Sequence, residues 1–315
     1  MIRVPTFSAP GKMVIAGEYA VVEGFEALAF SIDRRAKVRL SSKCPSSSAK
    51  SNRLLVCIFE EFASHGHEVG SLHVEIDTSE LHTISKLSNL KLGAGSSSAI
   101  AVALSAALLD HLGLDSTLCF ELAFAAHKRF TNQNGSGIDV ATSYYGGAIR
   151  YQLTEEGPRA APMTVLFDTK QIIAVHTGVA QSTNPLLAKM CEVKDTSAYH
   201  EAIAGIGYAA QKMISEMTSS AHNFNALCAD VAEHNYWMNS LGTLTGTPLL
   251  CPEHRLIQKI AEHHGGTAKP SGAGGGDISL SFVPIEAQDS FEKDLLNNDL
   301  LPLSVNFCAR GLESH

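Results

Sequence analysis

Basic charge is scarce in this chain: 24 Lys and Arg stand against 32 Asp and Glu, and with the 14 histidines neutral the formal net charge is −8. A general nucleic-acid binder needs a basic face, so that class is excluded, although a local basic pocket is not. Long apolar runs are also missing. Nothing approaches the roughly 20 residues that cross a bilayer, and only Arg3 precedes a short mixed N-terminal segment, so no membrane helix, signal peptide or membrane partner is expected. The cysteines (Cys44, Cys57, Cys119, Cys191, Cys228, Cys251 and Cys308) are odd in number, scattered and without a Cys-x-x-Cys pair. That pattern argues against a disulfide framework or a zinc site and predicts a reducing, cytoplasmic setting. His65 with His67, and His263 with His264, lack the i, i+4 spacing of a helical metal site. No internal repeat, low-complexity tail or heptad pattern is present.

What is there suits a folded enzyme or binding domain. With 45% hydrophobic and 18% charged residues over 315 positions, the chain can bury a substantial core as one large domain or two packed subdomains. Strand-like segments at 14–15, 27–32 and 37–40 precede a polar loop over 41–52, a helix over 54–64 and an alternating strand over 72–76. A small-residue and apolar helix is expected over 100–109, and another over 116–129 with Ser116 as N-cap. A strand over 146–153 and a turn at Gly157 and Pro158 follow. Then the character changes to a buried strand at 172–175 and a mostly helical stretch from 196 to 241. This places a boundary near residue 170, dividing the chain into 1–170 and 171–315.

The segment Lys91-Leu-Gly-Ala-Gly-Ser-Ser-Ser-Ala99 runs directly into the expected apolar helix. Gly93 and Gly95 can take positive φ and admit a ligand close to the backbone, while the first N–H groups of the helix have no internal acceptor and point at it. That is how a protein grips a phosphate chain, although glycine and serine here also suit a plain turn and N-cap. The polar stretch 77–89 just before it is placed to cover a nucleotide. No Gly-Lys-Ser/Thr closes the loop and no Gly-x-Gly-x-x-Gly is present, so neither the common P-loop nor the dinucleotide fingerprint applies.

Other glycine clusters share the chain: Ser8-Ala-Pro-Gly-Lys12 with Ala16-Gly-Glu-Tyr-Ala-Val21, and Lys269-Pro-Ser-Gly-Ala-Gly-Gly-Gly-Asp277 before an alternating strand over 278–282. The four glycines at 272 and 274–276 are entropically costly as a mere connector, which favours a place where backbone approaches a ligand or another loop; a tight hairpin is the plain alternative. In Asn134-Gly-Ser-Gly-Ile-Asp139 a single carboxylate follows a glycine turn, so Asp139 is either a helix cap or a catalytic group.

Taken together, these segments resemble the GHMP kinase superfamily of small-molecule ATP-dependent kinases, with its three motifs in the usual order across nearly the whole chain. Within it the sequence is most similar to phosphomevalonate kinases, through Ala9-Pro-Gly-Lys-Met-Val-Ile-Ala-Gly-Glu-Tyr-Ala-Val-Val-Glu23, Asp33-Arg34, Thr177-Gly-Val-Ala-Gln-Ser-Thr183, the third motif and Leu301-Pro-Leu-Ser-Val-Asn-Phe. The resemblance implies an α+β fold: an N-terminal domain like ribosomal protein S5 domain 2, then a ferredoxin-like domain. It implies ATP and Mg2+ as cofactors, with the triphosphate held by Gly93, Ala94, Gly95, Ser96, Ser97 and Ser98, and the Ser97 hydroxyl approaching the metal. Asp139 and Lys12 match the catalytic pair and are expected to face each other. Lys12, Glu18, Ser136, Gly137, Asp139, Ser271, Gly272, Ala273 and Gly274 are expected to line the acceptor site.

The resemblance has departures. The central loop reads Gly-Ala-Gly-Ser-Ser-Ser where Gly-Leu-Gly-Ser-Ser-Ala is usual. Mevalonate kinases usually carry a magnesium-binding glutamate shortly before the catalytic segment, whereas no carboxylate lies between Glu121 and Asp139, and His127, Lys128 and Arg129 occupy that stretch. Those basic residues suit either a substrate phosphate or a solvated helix end. The acceptor is therefore expected to be 5-phosphomevalonate or mevalonate, with another small alcohol or a non-catalytic ligand-binding relative as rivals. A monomer or homodimer is expected.

Overall fold

The structure, a computed structural model, describes residues 5–41, 52–70, 72–84, 89–133, 135–181 and 183–315. Most of the expected loop over 41–52, and residues 85–88 of the polar stretch before the glycine loop, lie outside the described residues, as do Cys44, Asn134 and Ser182. In chain order the elements begin with strands β1 (Thr6–Ala16) and β2 (Glu26–Ser41), helix α1 (Arg53–Ser64) and strands β3 (His73–Asp77), β4 (His82–Ile84) and β5 (Asn89–Lys91). Helices α2 (Ser96–Leu112), α3 (Cys119–Phe130) and α4 (Ile138–Tyr145) follow, then strands β6 (Ala148–Thr154), β7 (Gly157–Met163) and β8 (Ile172–His176). The remainder is α5 (Thr183–Val193), α6 (Ser197–Thr218), α7 (Phe224–Leu244), α8 (Pro252–His263), β9 (Thr267–Pro270), β10 (Ile278–Phe282), α9 (Gln288–Asn297), β11 (Leu301–Leu303) and β12 (Glu313–Ser314).

Two antiparallel sheets organise these elements, and together with the helices they give the expected α+β class. The first has the order β12-β1-β2-β6-β7. β2 is long enough for one edge to serve two partners, pairing β6 along 26–30 and β3 along 37–41. The second has the order β11-β8-β10-β9. Counted within that half, the strands lie 4-1-3-2 with helices after the first and third, which is the ferredoxin-like arrangement.

Between the first sheet and helices α1 and α3 lies α2, whose Ala99, Ala101, Val102, Ala103, Leu104, Ala107 and Leu108 share one core with Met13, Ile15, Leu28 and Phe30. A helix apolar on all sides must be covered on all sides, and burial of each leucine contributes about 1.5–3 kcal/mol. The same core continues through Met213 and Met217 of α6 and Leu227 and Val231 of α7 to Leu280 and Phe282 of the second sheet. Helices α8 and α9 cover that sheet elsewhere, through Ile257, Ala261, Phe291 and Leu295 against Ile173 and Val175. No helix among the described residues is long and apolar enough to cross a membrane.

Some expectations are corrected. The strands expected at 14–15, 27–32 and 37–40 are pieces of two long ones. The helix expected over 116–129 starts with a 3-10 turn at Ser116–Leu118 that Asp115, not Ser116, caps by accepting the Thr117 N–H at 2.9 Å. Gly157 and Pro158 open β7 instead of merely turning the chain, and prolines 158 and 162 are tolerated because β7 is an edge strand. The last residues return to the first sheet. Cys308 N–H donates to Ser31 O at 2.8 Å, Leu312 N–H donates to Tyr144 O at 3.0 Å, and β12 pairs with β1. Arg35 fastens this segment by donating to the carbonyls of Ser8, Arg310 and Gly311 at 2.9, 2.8 and 2.6 Å.

Candidate functional site

A register break in the central strand pair shapes one side of the site. Pro10 pairs with Arg35 and Lys12 with Ser31, so one residue of β1 spans three of β2. Such an irregularity bends the strand and re-aims its groups. Here the Lys12 N–H donates to Ala94 O at 2.9 Å, which brings the first glycine segment against the second. Gly11 must lack a side chain, because a Cβ would lie 2.7 Å from Ala94 O.

The second segment is the expected turn into a helix. Gly93 and Gly95 have φ of 70° and 76°, and Gly95 caps α2 without side-chain help. The first helical bond runs from Ala99 N–H to Gly95 O at 3.1 Å, which leaves the N–H groups of Ser96, Ser97 and Ser98 outside the helical ladder at its positive end. Ser98 Oγ bonds back to Gly95 O at 2.7 Å and fixes the turn. The Lys12 stem lies across the loop, with Cγ and Cε 3.1 Å from where a Gly95 side chain would start. Among the described residues the Lys12 ammonium has no hydrogen bond or ion pair.

The third segment meets both others. Asp277 lies so close to Gly93 that a Cβ there would sit 2.6 Å from its carboxyl carbon. Ser271 Oγ accepts the Val14 N–H at 3.0 Å and donates to Val14 O at 3.1 Å, and Tyr19 OH donates to Ala273 O at 2.5 Å. Gly274 and Gly276 press on the Leu249 and Val179 carbonyls, and the N–H groups of Gly275 and Asp277 donate to those same carbonyls at 2.7 Å each. This part of the glycine run is therefore used for loop-on-loop contact. Gly272 has nothing within 4 Å of its would-be side chain and is the open position.

Beneath that loop lies a buried ionic cluster. Glu18 is 4% exposed, and its two oxygens meet Lys269 Nζ on one side and His234 Nε2 on the other, the latter at 3.0 Å. Gly272 N–H also points at Glu18 Oε1, at 3.4 Å. Burial pushes the Glu18 carboxyl up, but attraction to Lys269 and His234 outweighs it and sets the pKa at about 2. Burial pushes His234 below its usual range and Lys269 likewise. Glu18 thus supports the acceptor loop from below, with Oε1 bonded to Lys269 and facing the Gly272 N–H, while Oε2 lies against the His234 ring without a hydrogen bond.

Asp139 stands at the start of α4, which packs on β1 through Ile138 and Ala141 against Val14. Gly137 precedes it at φ 84°, and any side chain there would strike the Phe124 ring. Ser136 is engaged locally: its carbonyl accepts from Tyr151 OH at 2.5 Å and its hydroxyl from Ile138 N–H at 3.4 Å. Asp139 Oδ1 accepts the Val140 N–H at 3.1 Å, while Oδ2 is 3.8 Å from His127 Nε2. The same nitrogen is 3.1 Å from Ser97 Oγ. The expected direct pairing of Lys12 with Asp139 is not formed, because Oδ2 is turned to His127 and the Lys12 stem rests on Gly95.

The structure therefore brings Lys12, residues 93–98, Asp139 and residues 271–274 to one place and leaves Glu18 and Ser136 as supports. Lys269 and His234 were not anticipated as functional groups; their partner Glu18 is some 250 positions away in the case of Lys269, and no local pattern announces such a pairing. Lys128 and Arg129 follow the helix-end reading. Lys128 donates to Gln133 O and Gly135 O at 3.1 and 2.8 Å, and Arg129 pairs with Glu61 at 2.7 Å. No group of three or more His, Cys, Asp or Glu side chains among the described residues could hold a metal ion. A nucleotide-borne Mg2+ needs less, since it takes one or two protein oxygens plus phosphates and waters, and the Ser97 hydroxyl and Asp139 carboxylate meet at one His127 nitrogen.

Comparison with known proteins shows which of them share this fold. Residues 53–147 match the family described as GHMP kinases N terminal domain. Phosphomevalonate kinase of Streptomyces sp. (strain CL190) is 24% identical over an alignment covering 89% of this chain and 90% of that protein. Mevalonate kinase of Bos taurus is 24% identical, with 88% and 85% covered. The solved structure of Streptococcus pneumoniae phosphomevalonate kinase, in complex with phosphomevalonate and AMPPNP, superposes with a TM-score of 0.77 at 16% identity, covering 96% of this chain and 99% of that one.

Proposed function

We propose that this chain, which has the GHMP kinase fold and matches the model of that family's N-terminal domain over residues 53–147, is an ATP-dependent phosphotransferase of the mevalonate pathway. The acceptor we assign is 5-phosphomevalonate, giving 5-diphosphomevalonate and ADP. In this reading residues 1–170 form the ATP-binding domain and 171–315 the C-terminal domain. One observation supports the proposal: Lys12 N–H on Ala94 O, Asp277 against Gly93, and Ser271 on Val14 bring the three glycine segments into mutual contact.

Phosphoryl transfer asks the protein to align two anions and to stabilise charge on the transferring oxygens. The free N–H groups of Ser96, Ser97 and Ser98 receive phosphate oxygens at the positive end of α2, and the uncommitted Lys12 ammonium adds a full charge beside them. Ser97, with Asp139 beside it, would hold a nucleotide-borne Mg2+ from the protein side, and that ion would supply charge neutralisation between the phosphates. A phosphomonoester has its second pKa near about 6, so its oxygen is already largely ionised at neutral pH and attacks the γ-phosphorus without losing a proton. The bond to the β–γ bridging oxygen breaks and ADP leaves. Asp139 orients that acceptor, while repulsion between the substrates is the larger obstacle. The α3 side chain that reaches Asp139 is an imidazole, not a second carboxylate, which favours an acceptor that brings its own negative charge.

Mevalonate is the second reading, supported by the bovine relative of equal identity. With an alcohol, Asp139 must also take a proton. The test is ADP release with ATP and each acceptor in turn. A much higher kcat/KM for 5-phosphomevalonate supports the proposal, preference for mevalonate replaces it with the second reading, and no ADP with any small-molecule acceptor indicates a non-catalytic relative.

A further inference from the structure

We infer that His127 is a positioning residue, tying the phosphate loop to the acceptor loop through one imidazole nitrogen; this rests on phosphoryl transfer occurring at the site. Its Nε2 lies 3.1 Å from Ser97 Oγ and 3.8 Å from Asp139 Oδ2, and the residue is 4% exposed. Those oxygens belong to the first turns of α2 and α4; the two helices also meet farther along α4, where Ser98 Oγ lies 3.4 Å from Ser143 Oγ, but that contact does not touch Asp139. The ring itself has little freedom. It stands in the last turn of α3 with its centroid 5.9 Å from that of Phe130, and the carbonyl of His127 accepts both the N–H and the hydroxyl of Thr131 at 3.0 Å. Lys128 and Arg129, its neighbours, are committed elsewhere, so His127 is the one member of that basic run turned into the cleft.

Two consequences follow from placing one nitrogen between a hydroxyl and a carboxylate. An N–H there is shared with Ser97 Oγ and presents its positive edge to Asp139 Oδ2, 3.8 Å away and beyond hydrogen-bond reach, while Oδ1 is fixed by the Val140 N–H. It also occupies one side of the Ser97 oxygen, so the hydroxyl proton and the remaining lone pair are directed into the cleft. The reacting groups are then held at a set spacing before either substrate arrives, and a misplacement of about 1 Å at such a site costs on the order of a hundredfold in rate.

The test pairs two variants with a spectroscopic readout. His127→Leu keeps apolar bulk and removes the nitrogen, and His127→Gln returns an amide nitrogen at similar reach. We expect the leucine variant to lose roughly ten- to a hundredfold in kcat with nucleotide affinity little changed, and glutamine to restore most of it. In 15N-histidine-labelled protein the His127 ring resonances should move in both Ser97→Ala and Asp139→Asn. Ring resonances indifferent to both changes would overturn the inference, as would leucine and glutamine variants equally slow in proportion to a shared loss of thermal stability. Since the spectra require no turnover, they judge the His127 contact even if the chain forms no ADP and the kinase reading fails.

Discussion

Glu18→Gln tests the buried cluster beneath the acceptor loop. Glu18, Lys269 and His234 are 4%, 1% and 0% exposed, so the substitution leaves the Lys269 ammonium in the interior without a counter-charge, with only neutral acceptors such as the Pro270 carbonyl at 2.6 Å. Breaking a buried pair from one side costs about 3–5 kcal/mol. The carboxyl points the same way through the same contacts: a fall from 4.5 in the unfolded chain to about 2 in the fold corresponds to a stabilisation on the order of 3 kcal/mol at neutral pH. If the whole chain unfolds cooperatively, its unfolding entropy is about 0.7 kcal/mol/K, so the midpoint should drop by about 4–8 °C.

The pH dependence has a definite sign. Because the folded pKa is depressed, the stabilisation is complete above about 4.5 and is lost as the pH falls from there towards about 2. Thermal unfolding followed by circular dichroism at pH 7 and through that acid window should show the wild type losing this increment while Glu18→Gln, already without it, declines less. Adding Lys269→Met should recover part of the loss, since no unpaired charge then remains buried. An unchanged midpoint in Glu18→Gln, or an acid slope identical to that of the wild type, would refute the reasoning.

Asp139→Asn should lower kcat by about two to four orders of magnitude while leaving ATP affinity nearly intact, and near-normal turnover in a folded variant would remove its assigned role. Gly93→Ala sets a side chain at φ 70° and 2.6 Å from the Asp277 carboxyl, so ATP binding measured by calorimetry should weaken by about tenfold or more with α2 still folded. Gly311→Val pushes into the Tyr144 carbonyl at the far end of α4. It should lower both the unfolding midpoint and kcat, and a loss of neither would show that the C-terminal segment does not steady Asp139.

The parts of the site legible in the sequence are those that rest on local backbone chemistry. Gly93 and Gly95 announce positive φ before a helix, and the structure has it at both. Gly137 before Asp139 announces a helix start in the same way. Long-range pairings were not legible. Nothing around Glu18 indicates Lys269 or His234, and the Lys12 N–H finds Ala94 O only because β2 carries extra residues opposite Gly11. The basic triplet at 127–129 showed its charge but not that its members part company, which depends on where α1 and the turn after α3 place Glu61 and Gly135. In the fold, α5, α9 and β7 went unread, β7 because prolines at 158 and 162 conceal a strand that only its edge position allows.

The pairing of β12 with β1 bears on how the protein is made. A sheet opened by residues 6–16 receives its outer strand from residues 313–314. At about 5–20 residues per second of synthesis, the free margin of β1 waits on the order of 15–60 s for its partner to leave the ribosome. During that interval the nascent N-terminal half offers an unprotected strand edge, a template on which another growing chain can add a strand.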